Sequence, residues 1–135
     1  MNQSLPNTPR SLVFLDANIL LEIILERPQQ LAAKKFLEAQ QGALHISALT
    51  AHLVVHFGQS RVDALVLQQF LGDYKVLALE AADFAWAFAN QRNDDFEDAL
   101  QLGVAIKHGC DTFVTFDKQL ASAYKNLSTI TVTLL

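Results

Sequence analysis

DDFEDALQLGVAIKHGCDTFVTFD, residues 94–117, is the stretch whose reading decides the fold. Asp94, Asp95, Glu97 and Asp98 crowd what reads as a helix start, where carboxylates are favoured by the helix dipole. From Ala99 to Ile106 nearly every residue is apolar, so the helix is expected to be largely buried. It runs from about Asp95 to His108, with Gly109 as its C-terminal cap. Thr112–Phe116 then reads as a short buried strand of β-branched and aromatic residues, and it ends on another acid, Asp117.

The same pattern of strand followed by acid occurs at the other end of the chain. Ser11–Leu15 is an apolar run ending on Asp16, which is placed to cap a helix over Ala17–Glu26. Pro28 breaks that helix and opens another that runs to about Gln41, with Gly42 as cap. Leu44–Ser47 is a second strand. Ser47 caps a helix over Ala48–Phe57 that Gly58 stops, and Arg61–Leu71 is a further helix ended by Gly72. Tyr74–Leu79 is a third strand, followed by a helix from Glu80 or Ala81 to about Arg92. After Asp117 come a short helix, Lys118–Tyr124, and a last strand, Thr129–Leu134. Short strands alternating with helices predict a parallel sheet covered by helices on both faces, an α/β fold of three layers.

Composition narrows the class. With 51% hydrophobic and 18% charged residues, the 135-residue chain has the make-up of a globular protein rather than a disordered one. The reading is a tail over residues 1–10 and a single domain over 11–135, since no linker, repeat or low-complexity segment interrupts the pattern. No apolar run approaches the roughly 20 residues that span a bilayer, and the polar, proline-containing start lacks the order of a signal peptide. The single cysteine, Cys110, excludes an intramolecular disulfide and suits a reducing cytoplasm. A net charge of −4 argues against extensive unaided contact with phosphates, although bound divalent cations can supply positive charge locally.

Ligands of parallel sheets bind beyond the carboxyl ends of the strands, near the point where strand order reverses. Asp16 and Asp117 end their strands and meet if those strands are neighbours. Asp95 and Asp98 are three apart and share a face at a helix start on the same edge. Carboxylates gathered so closely repel unless a cation joins them. Hard oxygen ligands select Mg²⁺ or Mn²⁺, which activate water and stabilise the charge of phosphodiester cleavage. Each acid also has a plainer role available. Asp16 and Asp117 can cap helices, and Asp94 and Glu97 are assigned to the helix dipole, worth roughly 0.3–1 kcal/mol each. Asp98 is different: Leu102 and Ala105 continue its face, so it heads an apolar stripe and needs a partner.

Three segments resemble one family. Val13–Leu20, VFLDANIL, resembles the opening motif of PIN domains. Asp95–Gln101, DFEDALQ, is similar to their central acidic motif in the form found among bacterial toxin-like members. Cys110–Asp117, CDTFVTFD, resembles their closing strand and its Asp. The order and intervals also fit, over about residues 12–135. The resemblance implies a PIN-like fold with a five-stranded parallel sheet and a Mg²⁺- or Mn²⁺-dependent ribonuclease cutting single-stranded RNA. Many small members are the toxin of a toxin–antitoxin pair, covered by a cognate antitoxin, and many are homodimers. By position, Asp16, Asp98 and Asp117 would be the catalytic, metal-binding acids and Asp95 a fourth ligand. Asn18 would hold the Asp16 carboxylate or a metal-bound water, and Thr115 would hydrogen-bond within the site.

The sequence departs from the family at one point. Leu53 stands where PIN domains usually carry a Glu, next to His52 and one turn before His56. Helical His pairs can bind metal, though on a surface helix they are more often ordinary polar residues. The departure leaves a second reading open, a degenerate PIN domain that binds RNA or protein without cutting. Leu65, Val66, Phe70, Phe84, Trp86 and Phe88 are candidates for a dimer surface or for the core. A receiver domain is excluded because only one acid follows the first strand, and an aspartyl phosphatase is disfavoured by Asn18 where a second Asp would be needed.

Overall fold

The computed structural model describes residues 11–135, and the expected tail over residues 1–10 lies outside them. In chain order the elements are β1 (Val13–Leu15), α1 (Ala17–Ile24), α2 (Gln30–Ala39), β2 (Leu44–Ser47), α3 (Ala48–Gly58) and α4 (Ala64–Leu71). They continue with β3 (Lys75–Leu77), α5 (Ala81–Asn90), α6 (Phe96–Lys107), β4 (Thr112–Thr115), α7 (Lys118–Ala123) and β5 (Thr131–Leu134). The five strands form one all-parallel sheet in the order β3-β2-β1-β4-β5. The chain leaves β1 toward β2 and β3, then returns to add β4 and β5 on the other side. The reversal of strand order lies between β1 and β4, the place where parallel sheets open a crevice.

Alternation along the strands sorts the core into two layers. Val13 and Leu15 of β1, with Ile46 and Val114, pack against Ile19, Leu20, Ala33, Val54 and Leu67 from the first four helices. Phe14 and Phe113 point the other way, onto Leu102, Val104, Leu120 and Tyr124 from α6 and α7. Their rings stack across the β1–β4 pair with centroids 5.2 Å apart. Both are fully buried, so the pairing of these two strands is fixed by an aromatic contact as well as by the ladder.

Helix α6 has sheet on one side and α5 on the other, which accounts for its lack of a polar face. Asp98 through Ala105 are all buried. Gly103 admits the close approach of α5, since a Cβ there would stand 3.2 Å from Trp86 Cε3. The α5–α6 contact is also charged at one end. Lys107 Nζ lies 2.8 Å from both Asp83 Oδ2 and Glu80 Oε1, which neutralises the buried Asp83. Gly109 follows with φ +74°, the left-handed cap expected of it.

Several expected boundaries move. Gly42 is not the cap of α2. The helix ends at Ala39, Gln40 is already extended (ψ 137°), and the Gln40 side chain donates to the Phe36 carbonyl at 3.2 Å. Pro28 precedes α2 in a turn held by Glu22, whose Oε1 accepts from Gln29 N at 2.8 Å. The helix expected from Arg61 starts at Ala64, and the strands expected from Tyr74 and Thr129 contract to Lys75–Leu77 and Thr131–Leu134. Both shortened strands are the edges of the sheet, where one row of partners is missing. Of the residues weighed for core or dimer surface, Phe70 packs into the core, while Leu65, Val66, Phe84 and Phe88 are exposed.

Phe113→Ala should lower stability by about 3–5 kcal/mol, the usual cost of emptying a buried aromatic site. Urea unfolding would register it as a lower midpoint at unchanged slope.

Candidate functional site

The site is built on a row of residues across the carboxyl edge of the sheet. Phe14 pairs with His45 and with Phe113, and Leu15 pairs with Val114. Two residues past Phe14, Asp16 therefore stands level with Ser47 on one side and Thr115 on the other. Ser47 pairs in turn with Leu77, and Thr115 with Leu134. The row reads Leu77, Ser47, Asp16, Thr115, Leu134, with three polar residues in the middle. Strand alternation turns them to the same face as Phe14, toward α6.

Asp16 is buried, yet both its oxygens are held. Oδ1 accepts from Ala17 N at 2.8 Å, and Oδ2 accepts from Thr115 Oγ1 at 2.7 Å and Asn18 Nδ2 at 3.2 Å. Asn18 also donates to Thr115 Oγ1 and accepts from Phe116 N, both at 3.2 Å. Asn18 thus bridges α1 to the end of β4, and Thr115 is central to the arrangement, accepting from Asp117 N at 3.0 Å as well. Burial drives the Asp16 carboxyl up to about 6. The bonds from Thr115 and Ala17 oppose the rise, and the charges of Glu97 and Asp117 add to it.

Asp98 enters from α6. It is 6% exposed, and Oδ2 accepts from Asn93 Nδ2 at 2.9 Å. Burial pushes its carboxyl up to about 7. The Asn93 bond works against that, and the charges of Asp95, Asp16 and Asp117 work with it. Asp117 caps α7, its Oδ1 accepting from Gln119 N at 2.9 Å and Leu120 N at 3.2 Å. Asp95 caps α6, with Oδ1 accepting from Glu97 N at 3.0 Å. The capping roles open to these acids are real, and each occupies one carboxylate oxygen. Asp95, Asp98 and Asp117 line one open cavity of about 650 Å³, together with Asn93, Asp94, Phe96, Glu97 and Gln119.

Among the described residues no Lys, Arg or His lies within ion-pair distance of Asp16, Asp95, Asp98 or Asp117. Nor do three of the acids stand close enough together, as they are, to hold one ion. Leu53 is half-buried and packs against the first core layer. His52 is exposed on α3, stacked on His56 with ring centroids 5.7 Å apart, and is not part of the acidic cavity.

Four residues carry roles at or beside the site that the sequence does not assign to them. Asn93 holds Asp98, and only its place just before an acidic helix start hinted at this. Glu97 belongs to the cavity rather than to the helix dipole alone. Its carboxyl is raised by burial and by Asp95, and its charge acts on Asp16. Thr50 and Gln101, with Ser47, form a buried polar ring between α3 and α6. A lone Gln inside an apolar helix was its signal.

The sequence matches the PIN domain family model over residues 13–126. No curated protein matches it. Among solved structures, a toxin–antitoxin complex from Klebsiella pneumoniae aligns with TM-score 0.71 at 20% identity, covering 91% of this chain and 96% of that one. The Mycobacterium tuberculosis VapC20, a sarcin–ricin loop cleaving toxin, aligns with TM-score 0.65 at 17% identity over 83% and 95%. VapBC2 from Rickettsia felis, bound to a DNA fragment from its promoter, aligns with TM-score 0.63 at 16% identity over 91% and 98%. At these identities the likeness is one of fold. No helix among the described residues is long and apolar enough to cross a membrane.

Raised carboxyl groups fix a direction of pH dependence. Folded Asp16 and Asp98 hold their protons to about 6 and about 7, above the ordinary value of 3.8. Between those values the native state binds more protons than the unfolded chain, so metal-free protein should lose stability as pH rises from about 4 to 7. Asp98→Asn removes its share of the loss and lets Asn93 keep donating. Thermal unfolding of the variant should occur above wild type at pH 8, with the gap narrowing as pH falls below about 7 and closing only near pH 4.

Proposed function

Because the chain belongs to the PIN domain family, we propose that it is a Mg²⁺- or Mn²⁺-dependent endoribonuclease of single-stranded RNA and the toxin of a toxin–antitoxin pair. The observation that carries this reading is the uncompensated charge at the strand-order reversal. Asp16 just past β1, Asp98 on α6 and Asp117 at the start of α7 just past β4 act on one another electrostatically with no described basic partner. Proteins rarely keep buried carboxylates in that state without using them.

The donors suit a hard cation in kind. Asp98 Oδ1, Asp117 Oδ2 and Asp95 Oδ2 have no hydrogen-bond partner among the described residues. In this reading Asp16, Asp98 and Asp117 hold the ion and Asp95 is the fourth acid. A bound Mg²⁺ or Mn²⁺ would neutralise phosphate charge and make a water acidic enough to attack. The chain's own contribution is orientation. Thr115 and Asn18 keep Asp16 turned to the edge, and Asn93 anchors one oxygen of Asp98 so that the other is free.

Assignment as a toxin is supported by solved neighbours that are toxin–antitoxin proteins. It implies a cognate antitoxin that covers the acidic cavity. Leu65 and Val66 on α4, with Phe84 and Phe88 on α5, are exposed apolar residues suited to a homodimer. Leu53 favours one alternative, a PIN domain that binds RNA or a protein without cutting. The two differ in metal binding: the nuclease takes up Mn²⁺ at the acids, and the binding module does not.

Wild type with Mn²⁺ should cut single-stranded RNA and lose activity in EDTA. Asp98→Asn should lower kcat by on the order of a hundredfold or more, as when one electrostatic partner of a transition state is deleted. Absence of cleavage, together with no Mn²⁺ heat by calorimetry, would leave the binding module as the function. A second check is thermal: saturating Mn²⁺ should raise the melting temperature of wild type but not of Asp98→Asn, because an ion that binds only the folded state stabilises it by mass action.

A further inference from the structure

The polar ring between α3 and α6 touches none of the acids, yet it ties α6, which carries Asp98, to Ser47 at the end of β2, the strand beside the one that ends on Asp16. Ser47 Oγ donates to Gln101 Oε1 at 2.6 Å, Gln101 Nε2 donates to Thr50 Oγ1 at 2.8 Å, and Thr50 N donates to Ser47 Oγ at 3.0 Å. Ser47 and Thr50 are 0% exposed and Gln101 is 1%. Ser47 is Asp16's neighbour in the row across the sheet. Gln101 lies three residues after Asp98, on the same face of α6.

We propose that Gln101 is a positioning residue that sets Asp98 opposite Asp16 and thereby tunes the metal affinity of the site. The inference rests on the nuclease reading above. Its physical ground is the sequence of α6. Ala99, Leu100, Leu102, Gly103, Val104 and Ala105 are buried all round the helix, so apart from Gly103, which faces Trp86 of α5, burial does not choose one rotation of the helix over another. A slip of one residue turns α6 by about 100° and moves it 1.5 Å, which would carry Asp98 away from the edge while still burying apolar surface. The ring penalises that slip, because it would leave the buried Gln101 amide without its two partners and take the Gln101 bond from both Ser47 and Thr50. Lys107, bonded to Asp83 and Glu80, restrains the other end of the helix against α5, and α5 carries none of the acids proposed to hold the ion. Gln101 fastens α6 to the sheet edge itself.

The test compares wild type with Gln101→Leu and Thr50→Val, all three as the full chain. Thr50→Val keeps the side chain's shape and the Ser47–Gln101 bond, so it serves if Gln101→Leu does not fold. Mn²⁺ affinity is measured by calorimetry, and kcat and KM on a single-stranded RNA. The expected result for Gln101→Leu is Mn²⁺ binding weaker by about tenfold or more, the effect typical of losing a group that orients metal ligands, with kcat lowered and KM for RNA unchanged. Thr50→Val should show the same pattern, smaller. The double variant should be no worse than Gln101→Leu, since both cut one ring. A lower melting temperature with wild-type Mn²⁺ affinity and kcat would make the ring structural only and overturn the inference, leaving the nuclease intact. Wild type that neither binds Mn²⁺ nor cuts RNA would overturn the nuclease, and the positioning role with it.

Discussion

The pairing of β1 with β4 is the constraint on which the rest depends. These strands are far apart in sequence, and the chain fills the interval with two further strands and six helices. Their adjacency makes the strand order reverse and brings Thr115 Oγ1 within 2.7 Å of Asp16 Oδ2. The Phe14–Phe113 stack lies two residues below, so one register fixes both the core beneath and the polar row above. Shifting β4 by one residue would put Thr112 or Val114 where Phe113 belongs and would part Asp16 from its hydrogen-bond donor.

The acidic edge is held against its own electrostatics. Asp16 and Asp98 are raised by burial and then further by their neighbours' charges, and only neutral donors, Thr115 and the Ala17 N–H for Asp16 and Asn93 for Asp98, offset this. Elsewhere the chain treats buried acids differently. Asp83 is matched by Lys107, and Glu22 is bonded to Gln29 N with Arg27 nearby. The contrast within one molecule separates acids that serve the fold from acids that burden it. Stability withheld at the edge has to be supplied by the two core layers on either side of the sheet.

Helix α6 carries the largest conflict between burial and geometry. It must be apolar enough to lie between sheet and α5, yet it must deliver Asp98 at one orientation. Gly103 resolves the first demand by letting Trp86 approach. The second falls to polar contacts at fixed points, from Asn93 at the helix start to Gln101 one turn in. Apolar packing settles which surfaces meet and hydrogen bonds settle their register, because only the latter are directional.

The sequence by itself determined the alternation of strands and helices, the parallel sheet and the acids at its carboxyl edge. These follow from local periodicity and from chain order: a strand that ends in Asp puts that Asp at a strand end whatever the strand's neighbours. Asn18 and Thr115 were legible through the three motifs that resemble PIN domains. Tertiary structure alone decided which strands are neighbours, and therefore that Ser47, Asp16 and Thr115 share a row. It also decided that Asn93 serves Asp98, that Glu97 belongs to the cavity, that Leu53 turns into the core, and that Gln101 finds Ser47 and Thr50 about fifty residues away. Edge-strand lengths and the end of α2 were misjudged because pairing partners and the Gln40 side chain, not local propensity, set them. Periodicity reports the face a residue belongs to, but the partner on that face comes from elsewhere in the chain and appears only when the chain has closed on itself.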